Sequence, residues 1–181
     1  RRQRQMCIRD SSRIVVPIAK DETGGTLFDK LAEAGAKLLV ETLPHIFDGT
    51  AVYEKQPEES PTPYAGMITK QMGLINFGKS AAELERLVRG LNPWPSAFTF
   101  WNGKTLKVWE SFVVKSEEAG TEKPEPGTVV KTDKKGIYVA CGEDVLVLSQ
   151  VQLEGKKRMD ADAFLRGCHI ETGSRFTDKK E

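Results

Sequence analysis

The chain has 181 residues, 39% of them hydrophobic and 29% charged, with 27 Lys and Arg against 26 Asp and Glu. Those proportions fit an ordinary water-soluble globular protein. No apolar run approaches the ~20 residues that span a bilayer, and a net charge of +1 excludes binding to a polyanion by bulk charge alone. The three cysteines, Cys7, Cys141 and Cys168, form no C-x-x-C pair, and His45 and His169 lie far apart. A reducing compartment is expected, with no disulfide framework and no metal.

Residues 1–12, rich in arginine and glutamine, fit no element that follows and are read as a non-native prefix, outside the fold. Ile14 to Ile18 is a short apolar run that predicts a strand. Thr23 can cap a helix carrying Leu27, Phe28, Leu31 and Ala34 at helical spacing. Gly35 interrupts, and Leu38, Leu39, Leu43, Ile46 and Phe47 resume as a second helix, with Pro44 set to kink or restart it. Residues 13–49 thus read as the tail of an α/β domain. In 50–71, Pro57, Pro61 and Pro63 among Glu58 and Glu59 predict a stiff, extended linker.

The remainder, 72–181, changes character. Ser80-Ala81-Ala82-Glu83 is a capping box, in which the hydroxyl and the carboxylate satisfy free N–H groups at a helix start. Leu84, Leu87, Val88 and Leu91 continue as an apolar stripe, and Asn92-Pro93 ends it. Trp94, between two prolines, is expected to be buried and to pin the helix to the domain. Five β-rich runs follow, at 97–101, 105–114, 127–131, 136–140 and 145–152. Asn102-Gly103 is a hairpin turn, since both residues tolerate positive φ; Asp133 to Gly136 and Gly142 to Asp144 make two more. Short strands joined by tight turns predict a small closed barrel. Ser116 to Pro126 is expected to be a mobile loop, and Asp160 to Arg166 a short helix closed by Gly167.

No catalytic constellation is visible. His45 and His169 lack a companion acid at a meaningful spacing, and Gly24-Gly25 lacks the rest of a phosphate loop. The basic clusters are more informative: Lys104 with Lys107, Lys131 with Lys134 and Lys135, and Lys156-Lys157-Arg158, all on or beside predicted turns. Brought together, they could meet a phosphate backbone and release its counterions. Phe98, Phe100, Trp101 and Trp109 could stack on bases, although strand spacing favours core packing for most of them.

Val88-Arg89-Gly90-Leu91-Asn92-Pro93-Trp94-Pro95 closely resembles the signature of the methionyl-tRNA formyltransferase family. Pro17-Ile18 with Asp21-Glu22-Thr23 and Thr26-Leu27-Phe28-Asp29-Lys30-Leu31 is similar to the close of that family's catalytic domain. Thr62, then Tyr64-Ala65 and Lys70, look like its linker, with Pro63 as an insertion. Leu106 to Trp109, Pro126 to Val129, Gln152 to Lys157, Phe164 to Gly167 and Gly173 follow in family order.

The resemblance implies a remnant of a Rossmann-like formyltransferase domain over 13–49, followed by an OB-like antiparallel β-barrel with flanking helices. It implies transfer of a formyl group from 10-formyltetrahydrofolate to the amino group of methionyl initiator tRNA. The expected setting is a monomer in the bacterial cytoplasm. The family's Asn, His and Asp belong upstream of Ile14, so the chain alone is expected to be inactive. Lys70, Arg89, Lys156 and Lys157 occupy motif-matched positions and become the expected tRNA contacts, with Lys104, Lys107 and Arg158 beside them. The related hydrolase portion of 10-formyltetrahydrofolate dehydrogenase is one alternative, although its counterpart lacks the Asn-Pro-Trp-Pro form. An OB-like RNA-binding module without enzymatic ancestry and a non-functional gene fragment are two others.

Overall fold

The computed structural model describes residues 9–57, 65–119 and 124–179. It divides into two units, one of Arg1–Lys20 with Thr26–Met67, the other of Asp21–Gly25 with Ile68–Glu181. Asp21–Gly25 is grouped with the second unit.

In the first unit, Ile14 to Ile18 is not a strand: Val15 is 88% and Ile18 68% exposed, and the stretch pairs with nothing. An extended segment becomes a strand only where a neighbour completes its hydrogen bonds. The two expected helices are one, α1 (Gly24–Phe47), whose first two residues count with the second unit. Gly35 is absorbed because a single glycine costs a helix only about 1 kcal/mol, and Pro44 lies in the last turn, where it ends the helix rather than splitting it. The Lys37–Glu33 ion pair supports its exposed face. Two-residue strands β1 (Arg9–Asp10) and β2 (Glu54–Lys55) pair antiparallel, and Gln56 Nε2 donates to Asp10 Oδ1 at 2.6 Å. Two residues set aside with the prefix therefore take part in the fold. The linker prolines Pro61 and Pro63 lie outside the described residues.

The second unit holds the whole described core. After a 3-10 turn at Lys70–Gly73, helix α2 (Ala81–Gly90) starts on the expected capping box, with both of its hydrogen bonds formed. It buries Ala81, Leu84 and Val88. Strands β3 (Ala97–Trp101), β4 (Lys104–Val114), β5 (Val129–Asp133), β6 (Gly136–Ala140) and β7 (Val145–Leu153) form an antiparallel sheet in the order β3-β4-β7-β6-β5. Strand β8 (Met159–Asp160) takes the edge of β7 beyond the end of β6, and leads into helix α4 (Ala161–Gly167). Asn102 and Gly103 adopt the positive φ values that the β3–β4 hairpin requires. Helix α3 (Ser116–Ala119) occupies the start of the expected mobile loop, whose residues 120–123 lie outside the described ones.

Closure of the sheet comes from a segment with no strand signature. Arg175 bridges Thr128 beside β5, and Thr177 bridges Phe100 in β3. Val129 N donates to Ser174 O at 2.8 Å, and Phe100 and Thr177 exchange two bonds of 3.0 Å. The tail thus joins the two edge strands, which removes the exposed edges an open sheet would carry. Inside lie Leu106, Val129, Ile137, Leu146, Leu148 and Val151, fully buried, with Phe176 from the tail against Phe77 at 6.2 Å. Each such side chain contributes roughly 1.5–3 kcal/mol.

Candidate nucleic-acid interface

Register decides which basic residues meet. Leu106 pairs with Leu153, Lys107 with Gln152, and Asp160 with Gln150. The β3–β4 turn and the β7–β8 turn therefore lie at the same end of the sheet. Glu154 N donates to Thr105 O at 2.8 Å, and Thr105 N to Glu154 Oε2 at 3.0 Å, which ties the two turns together. Five of the seven expected residues, Lys104, Lys107, Lys156, Lys157 and Arg158, converge at this end. Lys104, Lys156 and Lys157 are exposed and make no ion pair among the described residues.

Trp109 gathers two of the five, Lys107 and Arg158. The β4–β7 ladder is irregular between Val108 and Ser111, and Trp109 is left without a Cα partner; such a bulge re-aims a side chain. The indole Nε1 donates to Gln152 Oε1 at 3.1 Å, and Asn92 Nδ2 donates to the Trp109 carbonyl at 3.0 Å. Arg158 stacks its guanidinium 4.7 Å from the ring centroid, and Lys107 Nζ lies 5.8 Å from it. Arg158 also pairs with Glu110 at 3.0 Å and donates to Gln150. Both cations are thus held by an aromatic face.

The other basic residues are placed differently. Arg89 is enclosed in the fold: its Nε donates to Glu85 at 3.0 Å and its Nη1 to the Glu22 carbonyl at 2.8 Å. It fastens the Asp21–Gly25 segment to α2. Lys70 is exposed in the 3-10 turn. Leu74 bridges Phe98 in parallel, so the chain before Leu74 runs toward the start of β3, away from the Asn102-Gly103 turn. Lys131 is committed to Asp133 at 2.8 Å and to the Tyr138 ring at 4.8 Å. Burial would raise the Asp133 carboxyl, but hydrogen bonds from Lys131, the Lys135 N–H and Tyr138 outweigh it and hold it below its ordinary value.

Of the aromatics expected to pack rather than stack, Trp101 meets Phe164 edge to face at 6.4 Å, and Phe98 meets Phe100 at 5.7 Å. Trp94 departs from expectation: it is 59% exposed and does not pin the helix. The contact between α2 and the sheet is already filled by Leu84 and Val88, and Asn92, not Trp94, makes the tie to β4.

Burial pushes the Cys141 thiol up to about 12, which leaves it inert. Among the described residues no cluster of His, Cys, Asp or Glu could hold a metal ion, and no helix is long and apolar enough to cross a membrane. A cavity of about 430 Å³ lies beside α2, lined by Asp21, Arg89, Asn92, Trp109 and Ser111 among others.

A family model described as the formyl transferase C-terminal domain matches residues 67–169. The chain is 54% identical over 162 residues to the methionyl-tRNA formyltransferase of Agathobacter rectalis, covering 90% of this chain and 51% of that protein. It is 51% identical over 159 residues to the enzyme of that name from Lachnospira eligens, covering 87% and 50%. The chain thus spans about half the length of the curated relatives it matches. A crystal structure of HypX from Aquifex aeolicus superimposes with a TM-score of 0.56 at 11% identity, over 81% of this chain and 26% of that one. That likeness is one of fold.

Proposed function

The chain belongs to the formyl transferase C-terminal domain family, and from that premise we propose that it is the substrate-holding part of a methionyl-tRNA formyltransferase. The whole enzyme moves a formyl group from 10-formyltetrahydrofolate to the amino group of methionyl initiator tRNA. In this reading the closed sheet is an OB-like barrel that grips tRNA, and residues 13–49 are the last piece of a Rossmann-like catalytic domain, with 50–71 as the linker between them. The exposed Phe28, Leu31, Leu39 and Val40 of α1 support the second assignment, since a helix of that domain would lay them against a sheet. The folate donor and the catalytic Asn, His and Asp belong to that domain; no residue of this chain is assigned to the folate, and no metal is invoked. The working setting is the bacterial cytoplasm, as a monomer.

The observation that carries the reading is the convergence of Lys104, Lys107, Lys156, Lys157 and Arg158 at one end of the sheet, with Lys107 and Arg158 against Trp109. These side chains contact phosphates, which position the tRNA without reading its sequence. Lys70 adds a contact from the far end of β3. Arg89 serves the same interface indirectly by holding the Asp21–Gly25 segment in place. Titration of the chain with initiator tRNA tests this. About five phosphate contacts lower affinity roughly 500-fold between ~50 and ~200 mM salt. Absent binding, or binding indifferent to salt, overturns the assignment. The chain alone is expected to give no formyl transfer with donor and methionyl-tRNA; turnover would overturn the placement of the active site.

A further inference from the structure

Trp94 has no role in the packing described so far. It is 59% exposed, whereas Trp101 and Trp109 are partly buried. Its ring makes no hydrogen bond, ring contact or cation contact among the described residues. Yet the backbone around it is firmly held. Pro93 and Pro95 fix φ on either side. Gly25 N donates to the Asn92 carbonyl at 2.9 Å, and Ser96 N to the Leu91 carbonyl at 2.9 Å. A large flat side chain is therefore presented to solvent from an anchored frame, with little left to order on binding.

A neighbouring turn carries a cation. A Cβ on Gly73 would come within 2.2 Å of the Ser96 carbonyl oxygen, so the end of the Lys70–Gly73 turn lies directly against Ser96. Only glycine permits that approach. Lys70 in this turn is exposed and makes no ion pair among the described residues, and Met72 is 49% exposed. The two stretches of sequence that meet here contain no acid at all. There is no Asp or Glu from Ala65 to Ala82, nor from Arg86 to Trp109, whereas Lys70, Lys79, Arg86, Arg89, Lys104 and Lys107 fall within them.

We propose that Trp94 is a stacking platform for one unpaired nucleotide base, with Lys70 taking the adjoining phosphate. The inference rests on the reading of this domain as a tRNA holder and adds a second locus to it, distinct from the basic end around Trp109. An exposed indole offers a π-face to any base, and the exposed Lys70 on the turn packed against Ser96 suits the phosphate that accompanies one. A base within a duplex is stacked on its neighbours and has no free face; a base in a loop or at a single-stranded end does. The ligand is therefore an unpaired stretch of the bound RNA.

The test uses the full chain as wild type, W94A, W94F and K70Q, titrated with tRNA and with a blunt RNA duplex, with melting curves for each variant. Expected are a loss of about 5- to 150-fold in tRNA affinity for W94A, near-wild-type affinity for W94F, and unchanged duplex binding and salt slope for both. K70Q should lower the salt slope for tRNA by about one. Acrylamide quenching gives a readout independent of any variant's folding: tRNA should shield the most accessible tryptophan of the wild type. W94A binding tRNA like wild type, W94A losing tRNA and duplex equally, or quenching unaffected by tRNA each overturns the platform. If the wild type binds tRNA with a steep salt slope in those cases, only the platform fails; if the wild type binds no RNA, the tRNA-holding reading fails with it.

Discussion

The two longer helices carry similar apolar stripes to different ends. Helix α2 has 10 residues and buries Ala81, Leu84 and Val88, whereas α1 has 24 and buries none. Phe28 is 71% exposed, Val40 70% and Phe47 83%. Periodicity tells what a helix can bury; whether it does so depends on what lies opposite. Helix α2 has β4 and β7 to pack on, while no residue described in the first unit is buried. Burial, rather than helix propensity, supplies most of a helix's stability in a protein.

The contrast is sharpest in hydrogen exchange. Amides of Leu146, Val147 and Leu148 in β7 should be protected at least about a thousand-fold more than those of Leu38, Leu39 and Val40 in α1; equal protection would break the comparison. Next in size are core truncations. Leu148→Ala, at a fully buried position, should cost roughly 2–5 kcal/mol in denaturant unfolding, against within about 0.5 kcal/mol for Leu39→Ala, at one 57% exposed. Phe176→Ala tests whether the tail closes the sheet; a loss of about 3 kcal/mol is expected, and an effect near zero would make the tail an accessory.

Arg89→Gln separates a fold-holding cation from those proposed to meet phosphate. It should lower stability by about 2 kcal/mol, as for a lost charge-assisted hydrogen bond, and leave the salt slope of tRNA binding unchanged. A smaller effect belongs to the helix cap, where Ser80→Ala should cost about 1 kcal/mol. The hydrogen bond from the Ser80 hydroxyl holds the Glu83 carboxyl below its ordinary 4.5. Its folded value is depressed, so its contribution is complete above pH 4.5 and is lost as pH falls through the folded value. The gap between the melting curves of wild type and Ser80→Ala should therefore narrow in acid, not in base.

Much of the second unit was legible because its signals are local. The capping box, the Asn102-Gly103 turn and the helix after Asp160 each depend on residues within a few positions. Ile14 to Ile18 misled because a strand is defined by its neighbour. The tail escaped notice for a related reason: Thr99 Oγ1 bonds the Thr177 carbonyl across 78 positions, and nothing near Thr177 announces it. For the interface, sequence found Lys104, Lys107 and Lys156 to Arg158 as separate clusters. Only the β4–β7 register and the bulge at Trp109 bring them together. Trp94 was misjudged because a tryptophan between prolines looks the same in sequence whether it faces inward or outward.

The most direct test of the central claim compares the salt dependence of initiator-tRNA binding by wild type and by a variant with Lys104, Lys107, Lys156, Lys157 and Arg158 all changed to Gln. With about 0.9 of slope per phosphate contact, the variant should lose about four to five from the slope of log affinity against log salt, while its β7 amides stay as protected as those of the wild type. An unchanged slope in a folded variant would contradict the assignment of this end of the sheet to the tRNA.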